Sequence, residues 1–233
     1  MRSGSPGPGY YAGAAAETDL RGYLIKVYNY MAGGLLLTGV TAYAGAESGF
    51  YASIARTPLI WVVLLAPLVL VMVLAYRIQR MSLAAAQMSF WAYAALVGLS
   101  LSGIFLLYTG QSIASVFFVT GSMFAAASAY AYTTRRDLSR WGSFLFMGLI
   151  GFVIAIVVNM FLKSTALQMT ISVVGVIVFT GLTAYDTQKI RAMYVSGEDG
   201  TVMGKKAIYG ALSLYLDFLN LFLSLLQLVG VRR

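Results

Sequence analysis

Cysteine and histidine are both absent from this chain, and only 10% of its 233 residues are charged. The first absence excludes disulfides, thiol catalysis, imidazole acid–base chemistry and zinc or haem sites built on Cys or His. Carboxylates are then left as the pH-responsive groups, drawn from 8 acidic residues against 16 basic ones. The scarcity of charge excludes an ordinary soluble domain, which carries about 25% charged residues. What the chain has instead is apolar length: 60% of its residues are hydrophobic. The expected fold class is all-α, a polytopic membrane protein.

A bilayer core of ~30 Å calls for about 20 apolar residues per helix. The blocks 27–46, 57–76, 141–162 and 164–185 meet that length without a charge. Residues 81–134 form an uncharged stretch too long for one helix, and T-G-Q-S at 109–112 divides it into two. Residues 207–231 make a seventh span whose only charge is Asp217. Seven spans place the termini on opposite sides. With the N-terminus inside, 12 of the 16 basic residues fall on the inner segments and 4 on the outer ones. The positive-inside bias therefore favours N-terminus cytoplasmic and C-terminus outside. It also accounts for the net charge of +8 as a basic rim, with no nucleic acid as partner. Residues 1–20, which include S-G-S-P-G-P-G and lack the apolar core of a signal peptide, read as a flexible cytoplasmic tail. Residues 21–233 then form the transmembrane domain. The segment 186–206, with S-G-E-D-G, reads as a mobile inner loop.

Asp217 is the residue that needs explaining. A carboxylate within a span costs ~2.5–3.5 kcal/mol on insertion scales, so it calls for a partner or a task. On a helix, Gly210, Ser213, Asp217, Asn220, Ser224 and Gln227 fall in one stripe. Small and polar residues also suit a packing seam between helices. Ser213, Asn220 and Ser224 are the pore-lining candidates. Asp186 closes the preceding span; as a loop residue it would be solvated, its charge offset by Lys189. Paired with Asp217 it would instead make two carboxylates that cannot both ionise easily and titrate as a unit. Helix counting opposes that pairing, because Asp217 lies ~15 Å beyond the nominal start of its span. Arg77 and Arg80 anchor the second span by the positive-inside rule, or reach inward as a counter-charge. Asp137, in R-R-D-L-S, is expected to cap the fifth span, and Asn159 is a packing or pore-lining residue near its outer end.

T-A-Y-D-T-Q-K-I at 183–190 and L-Y-L-D-F-L-N-L-F at 214–222 resemble the two signatures of the Bax inhibitor-1 family, and R-D-L-S at 136–139 fits the same pattern. The likeness runs over residues 19–231. It implies seven helices with the last one central. It implies that Asp186 and Asp217 are a di-aspartyl pH sensor tied to a calcium leak, with Arg80, or else Arg77, as the latch. The same two carboxylates would be the calcium ligands, with no other cofactor. Bacterial members of this family influence a membrane-bound ATP-dependent protease, and eukaryotic ones restrain cell death. The expectation is a bacterial inner-membrane protein without enzymatic activity: a pH-gated pathway for calcium or another cation in the lipid bilayer. A regulator of other membrane proteins, without transport of its own, is the alternative. An intramembrane aspartyl protease is the remote one, because Tyr185 and Asp186 give its Y-D element while L-Y-L precedes Asp217 where G-x-G is required.

Overall fold

A computed structural model describes residues 8–233, with side chains from residue 17 onward. Eight helices follow one another: α1 (Pro8–Glu47), the short α2 (Phe50–Ile54), α3 (Leu59–Arg77), α4 (Leu83–Leu107), α5 (Gly110–Thr133), α6 (Gly142–Leu162), α7 (Thr165–Ala192) and α8 (Gly200–Val229). Single 3-10 turns lead out of α3 and into α6. Among the described residues no strand forms, apart from an isolated bridge between Tyr108 and Arg232. Of the expected tail 1–20, residues 1–7 lie outside the described residues, and the chain is helical from Pro8 onward.

Helix starts are set by side chains that accept the first free N–H groups. Ser82 accepts from Ala85 N–H at the start of α4, Thr109 from Ser112 N–H at α5 and Ser164 from Leu167 N–H at α7. The T-G-Q-S break expected at 109–112 falls at the α4–α5 junction for that reason. The C-terminus seals it: Thr109 N–H donates to Val231 O at 3.1 Å, and Val231 N–H donates to Ser112 Oγ at 2.9 Å.

Six helices, α3 to α8, are long and apolar enough to cross a bilayer. α1 is longer than any of them, but its apolar stretch is diluted by Gly33, Gly34, Thr38, Gly39, Thr41 and Gly45. All of those small residues except Gly39 serve contact with α4. A Cβ at Gly34 would lie 2.9 Å from the Phe90 ring, so that aromatic packs directly onto the α1 backbone. The distribution of burial is inverted relative to a soluble protein. In α3 and α6 only 11% of the most apolar stretch is buried, while α8 buries 61% of its own. Apolar surface left outward at that density is stable against lipid tails and not against water. α8 packs against α1, α4, α5 and α7; α3 rests on α4, and α6 rests principally on α7.

Two expected boundaries are corrected. α7 does not end at Tyr185 but runs to Ala192, and α8 starts at Gly200 rather than 207. The mobile loop expected over 186–206 shrinks to residues 193–199. Counting apolar residues stops at the first charge, whereas the helix continues because its polar turn has partners. Thr187 Oγ1 donates to Ser128 Oγ, and Gln188 bonds the backbone of the α5–α6 turn. Asp199 then starts α8 by accepting from Thr201 N–H at 2.8 Å and Val202 N–H at 3.3 Å.

Candidate functional site

The depth difficulty between Asp186 and Asp217 is settled by the stagger of α7 and α8. Two close contacts register the helices: Gly210 against Ile190, and Gly175 against Ser224. Asp217 lies seven residues from both Gly210 and Ser224, so it is level with the middle of the 175–190 stretch, near Leu182. Asp186 is then about one turn away, ~5 Å along the axis. Side chains on a helix lean toward its N-terminus. In antiparallel helices those leans oppose, so Asp186 and Asp217 lean toward one another, and both line one cleft. Two ionised carboxylates have only acceptors to offer each other, and a bond between them requires one proton. Asp217 is only 5% exposed, and its Oδ2 is buried with no hydrogen-bond partner. Asp186 is partly exposed.

These carboxyls sit on a cleft of ≈530 Å³ between α6, α7 and α8. It exists because α6 and α8 both lean on α7 and make little contact with each other. Its apolar wall includes Phe146, Leu149 and Phe179; its polar lining is Ser143, Tyr185, Asp186, Lys189, Tyr209, Ser213, Asp217 and Asn220. Asn220 donates its amide N–H to Leu216 O at 2.8 Å, which leaves Oδ1 as a free acceptor. The pair has a cation beside it: Lys189 holds its Nζ 5.9 Å from the ring centres of both Tyr185 and Tyr209, and its charge reaches both carboxyls.

The α7 motif at 183–190 assigns nearly every position a task. Thr183 returns its hydroxyl to Phe179 O at 2.7 Å. Tyr185 packs on Gly142, where a Cβ would come within 2.7 Å of the ring. Gln188 accepts from Leu138 N–H at 2.7 Å and donates to Arg136 O at 3.0 Å, tying the α5–α6 turn to α7. Ile190 fills the space beside Gly210. On α8, Tyr215 is fully buried, and its hydroxyl lies 2.6 Å from Thr38 Oγ1 of α1.

The polar stripe of α8 divides into seam and cleft. Ser213, Asp217 and Asn220 line the cleft. Ser224 does not; it is 3% exposed and packs on Gly175 as part of the α7–α8 seam. Gln227, at the far end, accepts from Gln168 and Ser172 of α7, and Gln168 in turn accepts from Asn159 of α6 at 2.9 Å. Asn159 is thus a packing residue. Arg77 and Arg80 are exposed, line no part of the cleft and form no ion pair with either carboxyl among the described residues. Arg77 ends α3, which rests on α4, and Arg80 lies in the 3-10 turn that follows, which touches the start of α8 where Lys205 Nζ donates to Gln79 O at 3.0 Å, whereas Lys189 is one turn from Asp186 on the same helix. That i, i+3 spacing was the available signal for Lys189.

At the turns that flank the site, Asp137 accepts from Ser139 N–H at 2.9 Å and holds the 3-10 turn that leads into α6; it does not cap α6 as expected, because the N-cap position there is Trp141, which makes no side-chain cap bond. That backbone hydrogen bond keeps its carboxyl below the usual carboxylate range, and the bond from Thr201 N–H does the same for Asp199. Lys206 Nζ donates to Glu198 at 2.6 Å and to Met193 O at 3.0 Å, closing the short α7–α8 connection.

Comparison with known proteins places these features in a family. Residues 20–233 match the family model described as Inhibitor of apoptosis-promoting Bax1. The inner membrane protein YbhL of Escherichia coli is 49% identical over 93% of this chain and 94% of its own length. The RP147 protein of Rickettsia prowazekii is 48% identical over 93% of this chain and 92% of its own. A protein of Caulobacter vibrioides is 40% identical over 97% and 95%.

Proposed function

This chain belongs to the Bax inhibitor-1 family, and from that premise we propose that it is a pH-responsive leak pathway for cations, calcium first, gated by Asp186 and Asp217. It is an integral membrane protein, and the name of its Escherichia coli relative supports the inner membrane as its place. On this reading α1 is a seventh span, α8 is the axis around which the others pack, and the basic end faces the cytoplasm.

One observation carries the proposal: a carboxylate oxygen, Asp217 Oδ2, buried without a partner beside a second carboxyl in an open cleft. An uncompensated buried charge is costly, by several kcal/mol per ion. The pair is relieved of it by a proton or by a cation, and competition between the two makes passage depend on pH. Calcium takes six to eight oxygen ligands. Asp186, Asp217, Ser213 and Asn220 supply part of that set, and water in a cleft of this size supplies the rest. Among the described residues no third carboxylate joins the cluster. That favours weak, transient occupancy, which a pathway needs and a storage site does not. Lys189 takes the counter-charge role in place of Arg80 or Arg77.

The test is calcium-dye flux in vesicles reconstituted with the purified chain, followed across pH. Asp217→Asn is expected to lower flux and to flatten its pH dependence. Unchanged flux with an unchanged profile would remove the pair from the mechanism and favour the reading of a regulator without transport.

A further inference from the structure

The acidic cleft has a basic neighbour. Across Tyr185 and Lys189, which belong to both walls, lies a second pocket of ≈350 Å³ formed by the α5–α6 turn and the end of α7. Arg135, Arg136 and Lys189 line it, against the single carboxylate of Asp137. Its volume is in the range of small-ligand sites, ~300–1,000 Å³.

The backbone of this pocket is fixed while its cationic side chains are left uncommitted. Arg136 N–H donates to Thr134 Oγ1 at 3.3 Å, Ser139 N–H to Asp137 at 2.9 Å, and Gln188 holds both Leu138 N–H and Arg136 O. Yet the guanidinium groups of Arg135 and Arg136 have no ion pair, hydrogen bond or ring partner among the described residues. Arg191, on the same end, is by contrast engaged with Tyr132 O at 3.0 Å and with the Tyr132 ring at 4.8 Å. A rigid turn presenting two unpaired guanidinium groups beside a lysine suits a phosphate, which takes bidentate hydrogen bonds from arginine. Immediately after the turn, Trp141 and Phe144 are 58% and 66% exposed at the start of α6. That is the level where an aromatic belt meets the headgroups, and the apolar face of α6 continues from it.

We propose that this pocket binds the phosphodiester headgroup of an anionic phospholipid, with the acyl chains lying along the exposed face of α6. Because Lys189 lines both pockets, a bound headgroup draws the lysine away from Asp186 and Asp217 and so raises cation occupancy of the cleft. The second statement rests on the cation-pathway reading; the first does not.

The experiment separates them. Thermal unfolding of the full chain in neutral detergent is followed with phosphatidylglycerol, with phosphatidylcholine at the same mole fraction, and with inorganic phosphate alone. Phosphatidylglycerol is expected to raise the midpoint by about 3 °C or more. Neither of the others should, and Arg135→Gln with Arg136→Gln should weaken the lipid's apparent affinity about tenfold. The control pair Arg21→Gln with Arg80→Gln, on the same basic end, should keep the full shift. The proposal is overturned if phosphatidylglycerol has no effect, if the control pair loses the shift equally, or if phosphate alone reproduces it. The calcium flux of the wild-type chain, compared in vesicles with and without phosphatidylglycerol, then tests the link through Lys189. Flux that ignores the lipid overturns that link alone, while the binding result stands whether or not any ion is carried.

Discussion

Tyr215 of α8 and Thr38 of α1 share a 2.6 Å hydrogen bond in the buried interior, and the Thr38 hydroxyl donates in turn to Ala94 O of α4 at 2.9 Å. Since Thr38 donates to the carbonyl, Tyr215 is the donor to Thr38. The chain of hydroxyls ties three helices at one point. Its two ends are not equivalent. Tyr215→Phe removes one bond and leaves Thr38 still donating, a loss of about 1 kcal/mol. Thr38→Val strands the buried Tyr215 hydroxyl, with a penalty of ~1–3 kcal/mol for a polar group left unpaired, while Ala94 O keeps its helical N–H partner. Unfolding in detergent should rank Thr38→Val below Tyr215→Phe, and the reverse order would mean that the bond is not made.

Asp217→Asn should stabilise the protein while impairing flux. The substitution removes a buried ionisable carboxyl that lies beside a second one, and a gain of roughly 1–3 kcal/mol is the size expected for that relief. Loss of one anionic ligand lowers cation occupancy by about tenfold or more. A variant less stable than the parent in the unfolding assay would show that Asp186 and Lys189 stabilise the carboxyl by more than its burial costs.

Gly175 is the point at which α7 meets Ser224. A Cβ there would also come within 2.8 Å of the Phe152 ring. Gly175→Ala should destabilise by ~1–3 kcal/mol through overpacking. Adding Ser224→Ala should recover part of that loss, because the two residues share one space. Strict additivity in the double variant would contradict the seam.

Asp199 gives α8 a pH-dependent start. Its carboxyl is held below the ordinary carboxylate value by the Thr201 N–H bond. A group depressed in the folded state contributes stability that is complete above its unfolded value, about 3.9, and is lost as pH falls through the folded one. Acidification below about pH 4 should therefore raise hydrogen exchange at Thr201 and Val202. Asp199→Asn should keep the cap and abolish that dependence. Exchange with the same pH profile in both proteins would assign the effect elsewhere.

Much of this was legible in the chain itself. The division at 109–112 was visible because Thr109 is a strong helix cap in an otherwise featureless apolar run. Asp217 stood out because nothing else in its span is charged, and its stripe does face α7. The extension of α7 was hidden because its last turn is polar, and polar residues mark a helix end only when they lack tertiary partners. Lys189 was marked by its i, i+3 spacing from Asp186, whereas the position of Arg77 and Arg80 outside the cleft depends on how the helices pack, and no local pattern encodes that. Ser224 shared the spacing of Ser213 and Asn220, yet it faces a glycine rather than a void. The distinction lies in the opposite helix.

The gap between α6 and α8 has a mechanical consequence. α6 rests principally on α7, so a swing of α6 alone widens the cleft without repacking the α1–α4–α8 core. Lipid already solvates the outer face of that helix, and little buried surface is uncovered when it moves. The Gln188 tie at one end and the Asn159 tie at the other then act as the latches of a door, and the carboxyl pair sits on the frame.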